Sequence, residues 1–195
     1  MRIVLCTGNP GKVAELRALL PVRIELVTLG ELGIPGDLPE TGETLEENAL
    51  QKARYVFERC GLPCLSDDTG LAVEALGGAP GVHSARYAGN ARDADANMDR
   101  LLRELEGVKD RSAAFRTVLA LVGPEGEQLF EGSVHGRIGE KPIGKGGFGY
   151  DPIFLPEGSS RTFAEMDAEA KNRISHRALA MEKFLDWIRT EQIGD

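Results

Sequence analysis

The sequence of 195 residues predicts an α/β fold, formed by one globular domain around a mixed β-sheet. Two observations lead to this prediction. Segments with the apolar pattern of strands alternate with segments of helical spacing, without long linkers or repeats. Two neighbouring β-rich segments further along the chain are spaced as a hairpin, whose strands are antiparallel, so the sheet cannot be all-parallel.

The N-terminal segment predicts a strand, a loop and a helix. Residues 2–6, "RIVLC", form a continuous apolar run typical of a buried strand. After a turn with glycine and proline, apolar residues recur at helical spacing until Pro21. These residues are Val13, Leu16, Leu19 and Leu20.

A second helix is indicated by Thr44 and Glu47, which form a capping box, and by Gly61, which is suited to end the helix. Its predicted buried face comprises Leu45, Ala49, Ala53, Val56 and Cys60. Asp93 is the predicted cap of a third helix, which we expect to end at Gly107. Its predicted buried face comprises Ala94, Met98, Leu101, Leu102 and Leu105.

The predicted hairpin joins residues 113–122 to residues 127–138 through the turn "GPEG". A final helix is predicted near the C-terminus, where apolar residues again follow helical spacing. They are Ala178, Met181, Leu185 and Ile188, and Phe184 and Trp187 widen the same face as core residues.

Charge and cysteine content restrict the function and the compartment. The chain has 31 acidic residues against 23 Lys and Arg, a formal net charge of -8, which disfavours general binding to nucleic acid or to anionic membranes. Cys6, Cys60 and Cys64 lack the spacing of a zinc site and predict free, buried thiols in a reducing compartment. With no signal peptide or membrane span evident, we expect a cytoplasmic protein.

The loop "TGNPGK", residues 7–12, is the first segment with the chemistry of a binding site. Free amide groups at a turn from strand to helix, together with the positive end of the helix dipole, bind phosphate, and Lys12 adds a full charge. The spacing is shorter than that of a Walker A loop. The alternative is an ordinary turn with a surface lysine.

The segment "LSDDTGL" places Asp67 and Asp68 side by side after an apolar run. Neighbouring side chains of a strand point to opposite faces, so both could reach one site only if the chain turns at Thr69 and Gly70. Otherwise one carboxylate should dominate. Carboxylates suit Mg²⁺, and Glu40 in "LPETGET" is a third acid without a packing reason for its charge. The alternative is a solvated turn.

The glycine-rich segment "GKGGFGYDPIF" surrounds Phe148 with four glycines. Such a loop lets a flat ligand approach the backbone, an aromatic ring on it can stack on a base, and Asp151 could bond the edge of that base. The alternative is a flexible tip whose Phe148 and Tyr150 fold back into the core.

A cluster of cations precedes the final helix in "KNRISHR". An acidic protein that binds a polyphosphate needs such a cluster, because Arg contacts phosphate with two bonds and Lys supplies a point charge. The cluster comprises Lys171, Arg173, His176 and Arg177. A structural role or an anion contact is the expectation for the histidine.

Taken together and in order along nearly the whole chain, these motifs resemble the inosine/xanthosine triphosphate pyrophosphatases, a family of non-canonical purine NTP pyrophosphatases. The matching segments are "TGNPGK", "ETGETLEENALQKA", "SDDTGLAVEALGGAPGVHSARYAG", "GGFGYDPIF" and "KNRISHRALA". The resemblance implies a homodimeric, Mg²⁺-dependent enzyme that hydrolyses ITP, dITP and XTP to the monophosphate and pyrophosphate. It also implies an elongated two-lobed domain, with a long mixed sheet along a central cleft.

The resemblance further implies the roles of individual residues. The metal ligands would be Glu40 and Asp68, and Asp68 would also act as general base, supported by Asp67. Arg86, in "SARY", is a further possible phosphate ligand. The implied substrate-binding residues are Thr7, Gly8, Asn9, Pro10, Gly11, Lys12, Thr69, Phe148, Gly149, Tyr150, Asp151, Lys171, His176 and Arg177.

Three other functions use some of the same features. A pyrophosphatase for modified pyrimidine or methylated nucleotides would need the same phosphate and metal groups. A nucleotide sensor without catalysis is disfavoured, because the acids of "SDDTG" would repel a triphosphate in the absence of metal. A nucleic-acid-binding module is disfavoured by the net charge and by the lack of a basic stripe.

Overall fold

Within residues 1–191, which the computed structural model describes, seven strands form one mixed sheet. The strands are β1 (Arg2–Cys6), β2 (Glu25–Thr28), β3 (Cys64–Val73), β4 (Pro80–Gly81), β5 (Ser112–Gly123), β6 (Gly126–Ile138) and β7 (Phe154–Pro156). Their hydrogen-bonded order is β2, β1, β3, β5, β6, β7, and β4 pairs with β3 outside this path.

The pairing directions confirm the predicted mixed sheet. Strand β1 is parallel to both of its neighbours, with Val4 opposite Val27 of β2 and opposite Cys64 of β3. Strands β3 and β4 are antiparallel, with Leu71 opposite Gly81, and β6 and β7 are also antiparallel. A sheet of this kind combines parallel crossovers with hairpins, as the alternating sequence pattern indicated.

The same residues contain five α-helices. They are α1 (Pro10–Leu19), α2 (Leu45–Cys60), α3 (Ala94–Glu104), α4 (Ala168–Ile174) and α5 (His176–Glu191). The predicted capping box of α2 is present: the Thr44 hydroxyl accepts from the Glu47 amide at 3.1 Å, and the Glu47 carboxylate accepts from the Thr44 amide at 3.2 Å. Gly61 ends this helix in the left-handed conformation (φ 64°), as its position predicted.

Helix α3 begins as predicted but ends earlier. The Asp93 carboxylate accepts from the Asp95 amide at 3.0 Å, which confirms the N-cap. The predicted end at Gly107 is wrong, because the last helical residue is Glu104. The carbonyl of Leu105 accepts from the Arg111 guanidinium at 2.8 Å, and this bond belongs to the turn that follows the helix.

Strand β3 continues through Thr69 and Gly70 to Val73, so the turn that would let Asp67 and Asp68 face one site is absent. The alternative of a solvated turn is wrong. The continuation of the strand is stabilised by complete burial of Leu71 and by the Leu71 amide, which donates to the Ser84 hydroxyl at 2.9 Å. Asp67 and Asp68 consequently lie inside the protein, with exposures of 0% and 7%.

The predicted hairpin and the predicted N-terminal strand are both confirmed. Only Pro124 and Glu125 separate β5 from β6, and the two strands are neighbours in the sheet. Strand β1 has the predicted bounds, and α1 begins at Pro10, which lies within the predicted loop. Proline fits the first turn of a helix because its missing N–H would have no partner there.

The chain forms two compact units, and the first comprises Met1–Asp68, Thr117–Gly132 and the chain from Arg177. Its apolar core joins β1, β3, β5 and the last helix, through Leu5, Leu65, Leu119 and Phe184. Cys6, Cys60 and Cys64 are free thiols in this unit, as predicted, although Cys60 is only half-buried.

The second unit comprises Thr69–Arg116 and Ser133–His176. Its core joins α3 to β5, β6 and β7 and includes Leu101, Phe115, Ile138 and Phe154. Among the helices of residues 1–191, none combines the length and the apolar character that a membrane span requires.

Candidate active site

The loop of residues 7–12 carries the turn from β1 into α1. Asn9 is the N-cap of α1, and its side-chain oxygen accepts from the amides of Gly11 and Lys12 at 2.9 and 3.2 Å. The Thr7 hydroxyl accepts from the Asn9 amide at 3.2 Å. Two amides expected to be free for phosphate are therefore already capped, and the positive end of α1 remains as the anion-binding feature of this loop.

Glycine at position 8 allows a second segment to approach this loop. A Cβ atom on Gly8 would lie 2.7 Å from the carbonyl oxygen of Gly36, which is closer than van der Waals contact permits. The backbone of residue 36 can therefore pack directly on the turn only because residue 8 has no side chain.

The ammonium group of Lys12 points to Asp67. It forms an ion pair with the Asp67 carboxylate and lies 3.4 Å from the Asp67 carbonyl oxygen. Burial lowers the pKa of Lys12 below its ordinary value; Lys52 and Arg177 add to this shift, and Asp67 opposes it. Lys12 is thus a charged group held in place at the end of the loop and not a solvated surface lysine.

Asp67 lies between two cations. Arg177, at the start of α5, donates its Nε to Asp67 Oδ2 at 2.7 Å, and its Nη1 pairs with Glu15 of α1. Both Asp67 and Arg177 are buried. Burial works against the charge of Asp67, but Arg177 and Lys12 hold the pKa of this carboxyl well below its usual range. Asp67 therefore acts as a fixed anion that holds two cations in place.

Asp68 meets a different cation. Lys52 of α2 donates from Nζ to Asp68 Oδ1 and to Glu40 Oε1, each at 2.8 Å, and to the Asp67 carbonyl oxygen at 2.8 Å. Burial raises the pKa of the Asp68 carboxyl, and Lys52 limits this rise. Burial also opposes the charge of Lys52, but Asp68 and Glu40 together hold its pKa above the ordinary value.

The two predicted metal ligands thus converge on one point. One oxygen of Glu40 and one oxygen of Asp68 bond the same nitrogen atom, so both carboxylates point to a single cation. In the described part of the chain, no group of three or more His, Cys, Asp and Glu side chains could hold a metal ion. Two carboxylates are nevertheless the protein ligands with which Mg²⁺ is commonly held beside substrate phosphates. The pair fits that ion.

Helix α2 holds the segment that carries Glu40. The Asn48 side chain accepts from the Gly42 amide at 2.8 Å, and the Gln51 side chain accepts from the Thr41 amide at 2.9 Å. These bonds fix the segment that precedes α2. Glu40 is thereby placed next to Lys52, which lies one helical turn after Asn48.

In the second unit, Asp151 organises the glycine-rich loop. Its Oδ2 accepts from the Phe148 amide at 2.8 Å and from the Lys171 ammonium at 2.6 Å. Asp151 and Lys171 are 3% and 5% exposed, so their ion pair is buried. The Lys171 nitrogen lies 5.0 Å from the centre of the Phe148 ring. A hydrogen bond from Asp151 to the edge of a base stays a prediction. In the structure Asp151 Oδ2 accepts from groups of the protein itself.

The other predicted residues of this unit differ in accessibility. Tyr150 is buried in the core, where its hydroxyl donates to the Ser84 carbonyl at 2.9 Å, as the core alternative proposed. Phe148 and Thr69 are half-buried. His176 is buried and stacks on Phe115, with ring centres 4.6 Å apart. Their substrate contacts stay predictions.

The cations of "KNRISHR" do not form one group. Lys171 pairs with Asp151, exposed Arg173 pairs with Glu169, and Arg177 pairs with Asp67 and Glu15. Lys171 and Arg173 belong to the short helix α4, and His176 and Arg177 begin α5. Every one of these three basic side chains has an acidic partner.

Sequence reasoning missed Lys52 and Glu15. Lys52 follows Ala49 by three residues and precedes Val56 by four, so it lies on the predicted apolar face of α2. A lysine on the buried face of a helix signals a partner of opposite charge and could have been noticed. Glu15 gave no such signal.

Comparisons with known proteins agree over nearly the full length. A model described as the Ham1 family matches residues 3–187. The dITP/XTP pyrophosphatase of Porphyromonas gingivalis is 52% identical over 188 residues, which cover 96% of this chain and 97% of that protein. The solved Ham1 protein of Staphylococcus aureus has a TM-score of 0.89 at 36% identity and covers 98% of this chain and 100% of its own. A HAM1 protein from Coxiella burnetii has a TM-score of 0.87 at 43% identity, with coverage of 98% and 99%.

Proposed function

The chain belongs to the Ham1 family, and from this we propose that it hydrolyses non-canonical purine nucleoside triphosphates. The substrates are ITP, dITP and XTP, and the products are the nucleoside monophosphate and pyrophosphate. Such an activity removes deaminated purines from the nucleotide pool. The relative from Porphyromonas gingivalis carries the name of a dITP/XTP pyrophosphatase, which supports this choice of substrates.

The observation that carries the proposal is the convergence of Glu40 and Asp68 on one cation, beside the ion pair of Lys12 and Asp67. A triphosphate is an anion, and a protein of net charge -8 repels it unless cations are concentrated where it binds. Lys12 and Lys52 both contact the Asp67 carbonyl oxygen, so two ammonium groups lie together beside this residue of β3.

Glu40 and Asp68 would hold Mg²⁺, which is part of the proposal. When bound, this ion neutralises phosphate oxygens and lowers the pKa of water. In the structure the Lys52 ammonium bonds both carboxylates. If the ion took its place, the ammonium would need another anion as partner. A phosphate oxygen of the substrate is the anion that the reaction supplies.

Asp68 is the proposed general base. A water oxygen attacks the α-phosphorus, a proton of that water passes to the Asp68 carboxylate, and the bond from the α-phosphorus to the bridging oxygen breaks. Pyrophosphate leaves with the bridging oxygen, and Lys12 stabilises the charge that develops on it.

The glycine-rich loop is the proposed site for the purine. Phe148 offers a ring for stacking, and its amide and the Lys171 ammonium are fixed by Asp151. Donors aimed at O6 would discriminate a 6-oxo purine from adenine, since an amino group in that place leaves the donors without an acceptor.

A homodimer and a cytoplasmic location complete the proposal. The resemblance to the pyrophosphatase family supports the dimer. The three free thiols support a reducing compartment. The acidic net charge disfavours nucleic acid as partner.

One experiment tests the reaction. The pure protein is incubated with Mg²⁺ and a panel of canonical, deaminated, methylated and modified pyrimidine triphosphates, and pyrophosphate and orthophosphate are measured separately. We expect pyrophosphate from ITP, dITP and XTP, and little from ATP. Release of orthophosphate would place cleavage at the γ-phosphate. Binding of ITP without any release would indicate a sensor.

A further inference from the structure

Gly147 lies directly before Phe148 and has the left-handed backbone conformation (φ +67°). A Cβ atom built on it would overlap Asp151 Oδ2 and would lie 2.8 Å from Asp151 Cγ and 2.9 Å from Asp151 Cβ. The last distance matters most, because rotation of the carboxylate does not move the Cβ atom away. Any side chain at position 147 therefore displaces Asp151 or the loop.

The overlapping atom, Asp151 Oδ2, is the one that holds the glycine-rich loop in place. Asp151 Oδ2 accepts from the Phe148 amide at 2.8 Å and from the Lys171 ammonium at 2.6 Å. Both ends of the ion pair are buried, so Asp151 cannot swing toward solvent without breaking its bond to Lys171.

We propose that Gly147 is a positioning residue for the base: its missing side chain lets the Asp151 carboxylate reach both Phe148 and Lys171, and this contact holds the Phe148 ring for stacking. The inference deepens the proposed function and rests on it for the identity of the ligand. It adds to that function a residue that touches neither base nor phosphate and acts only through Asp151.

The chain offers a matched control. Gly158 also has the left-handed conformation (φ +76°), but a Cβ atom there meets nothing within 4 Å. Gly147→Ala and Gly158→Ala therefore introduce a similar backbone strain, and only the first introduces a collision. A difference in binding or stability between the two variants is therefore due to the overlap of the new Cβ atom with Asp151.

The first measurement is the binding of IMP, the product that carries the purine, together with kcat and KM for ITP. We expect Gly147→Ala to raise the dissociation constant and the KM about tenfold, the size of one stacking contact, while kcat changes little. Gly158→Ala should leave all three unchanged. Equal values in both variants would overturn the proposal. If the wild type itself binds no IMP, it is the proposed function that fails.

The second measurement needs no ligand. Each glycine variant is made in the wild type and in the Asp151→Gly/Lys171→Met background, which removes the Asp151 Cβ atom together with its carboxylate, and urea midpoints are compared. Gly147→Ala should lower the midpoint more than Gly158→Ala in the wild type, and this excess should vanish in the background without the carboxylate. An excess that persists shows that Gly147 does not act through Asp151.

A crystal structure of Gly147→Ala decides the same question if that background does not fold. We expect Asp151 Oδ2 to lose hydrogen-bonding distance to the Phe148 amide, to Lys171 Nζ, or to both. Distances still near 2.8 Å and 2.6 Å, as in the wild type, would refute the proposed link.

Discussion

Arg177 Nε donates to Asp67 Oδ2 at 2.7 Å, and this bond joins residues that are 110 positions apart in the chain. Neither side chain is accessible to solvent by more than 1%. The guanidinium group also pairs with Glu15, so one arginine holds β3, α1 and the start of α5 together. The position of the neighbouring Asp68 depends on this arrangement, because both aspartates belong to one strand.

Replacing this arginine should destabilise the protein strongly. In Arg177→Met the buried Asp67 and the half-buried Glu15 each lose one ion pair. We expect a loss of about 3 kcal/mol in the free energy of unfolding measured with urea, the lower end for a broken buried pair, because Lys12 still pairs with Asp67. The matched control is Arg189→Met on the same helix, which breaks the exposed pair with Asp186. Exposed pairs contribute little, so a loss of equal size in the control would contradict the buried role of Arg177.

Asp68→Asn should abolish most turnover while the fold is retained. The amide keeps the shape of the side chain but cannot accept the proton of the attacking water, and general-base catalysis contributes roughly 10² to 10⁴ in rate. Pyrophosphate release from ITP measures the loss, and near-UV circular dichroism checks the fold. Asp186→Asn, on the surface, is the control. Near-normal turnover in Asp68→Asn would remove this residue from the mechanism.

Lys52→Met should make the protein depend on Mg²⁺ for stability. Without the ammonium, Glu40 and Asp68 repel one another, which we expect to cost about 3 to 5 kcal/mol in the presence of EDTA. Added Mg²⁺ should then raise the melting temperature more in the variant than in the wild type, because binding to the folded state stabilises it.

The control for this variant is Arg54→Met on the same helix, which breaks the exposed pair with Glu127. Its melting temperature should respond to Mg²⁺ as the wild type does. If Lys52→Met shows no larger response than Arg54→Met, the two carboxylates are not the metal ligands.

The activity should decline at alkaline pH sooner than an ordinary lysine would require. Burial lowers the pKa of Lys12 below 10.5, so as the pH rises its ammonium, which we propose to stabilise the leaving group, loses its proton earlier than an ordinary lysine does. The profile of kcat/KM against pH measures the decline, and Lys12→Arg should move it to higher pH, since guanidinium stays charged. An unmoved profile would assign the decline to another group.

The contribution of Lys12 to stability should increase with pH, whereas the activity declines. The folded state releases the Lys12 proton more readily than the unfolded state, in which the pKa is 10.5. The contribution of Lys12 to the free energy of unfolding therefore rises as the pH increases from the folded pKa toward 10.5. Urea denaturation of the wild type and of Lys12→Met across this range isolates that contribution.

Phe148→Ala should weaken the binding of IMP by about 1 to 3 kcal/mol, the contribution of one base stacked on an aromatic ring. Calorimetry measures the affinity. Phe148→Tyr should restore it, because the ring is kept, and Leu129→Ala, at an exposed position, should have no effect. An affinity that does not change in Phe148→Ala would assign the ring to packing.

Local elements could be predicted from the sequence because their signals lie within a few residues. The capping box of Thr44 and Glu47, the stop at Gly61 and the N-cap at Asp93 are contacts between near neighbours, and all are present. The predicted end of α3, at Gly107, was wrong. The Leu105 carbonyl accepts from the Arg111 side chain, and a pattern of residues within the helix does not include that bond.

The pairing of charges could not be predicted in the same way. The local preferences of Thr69 and Gly70 allowed a turn, yet β3 continues because Leu71 is buried and bonded to Ser84. Lys52 was read only as part of a helix, although it lies opposite two acids, one 12 and one 16 residues away. Such contacts depend on how helices pack on the sheet.

By itself, the sequence determined an α/β protein with a mixed sheet, an acidic surface charge, free thiols and motifs resembling one pyrophosphatase family. Only the tertiary structure decided that Lys12 and Arg177 pair with Asp67, while Lys52 pairs with both Asp68 and Glu40. Neighbouring residues of a strand face opposite sides, which separates the two carboxylates in any strand. Which cation reaches each side is set by the packing of helices distant in the chain, and no local pattern contains that information.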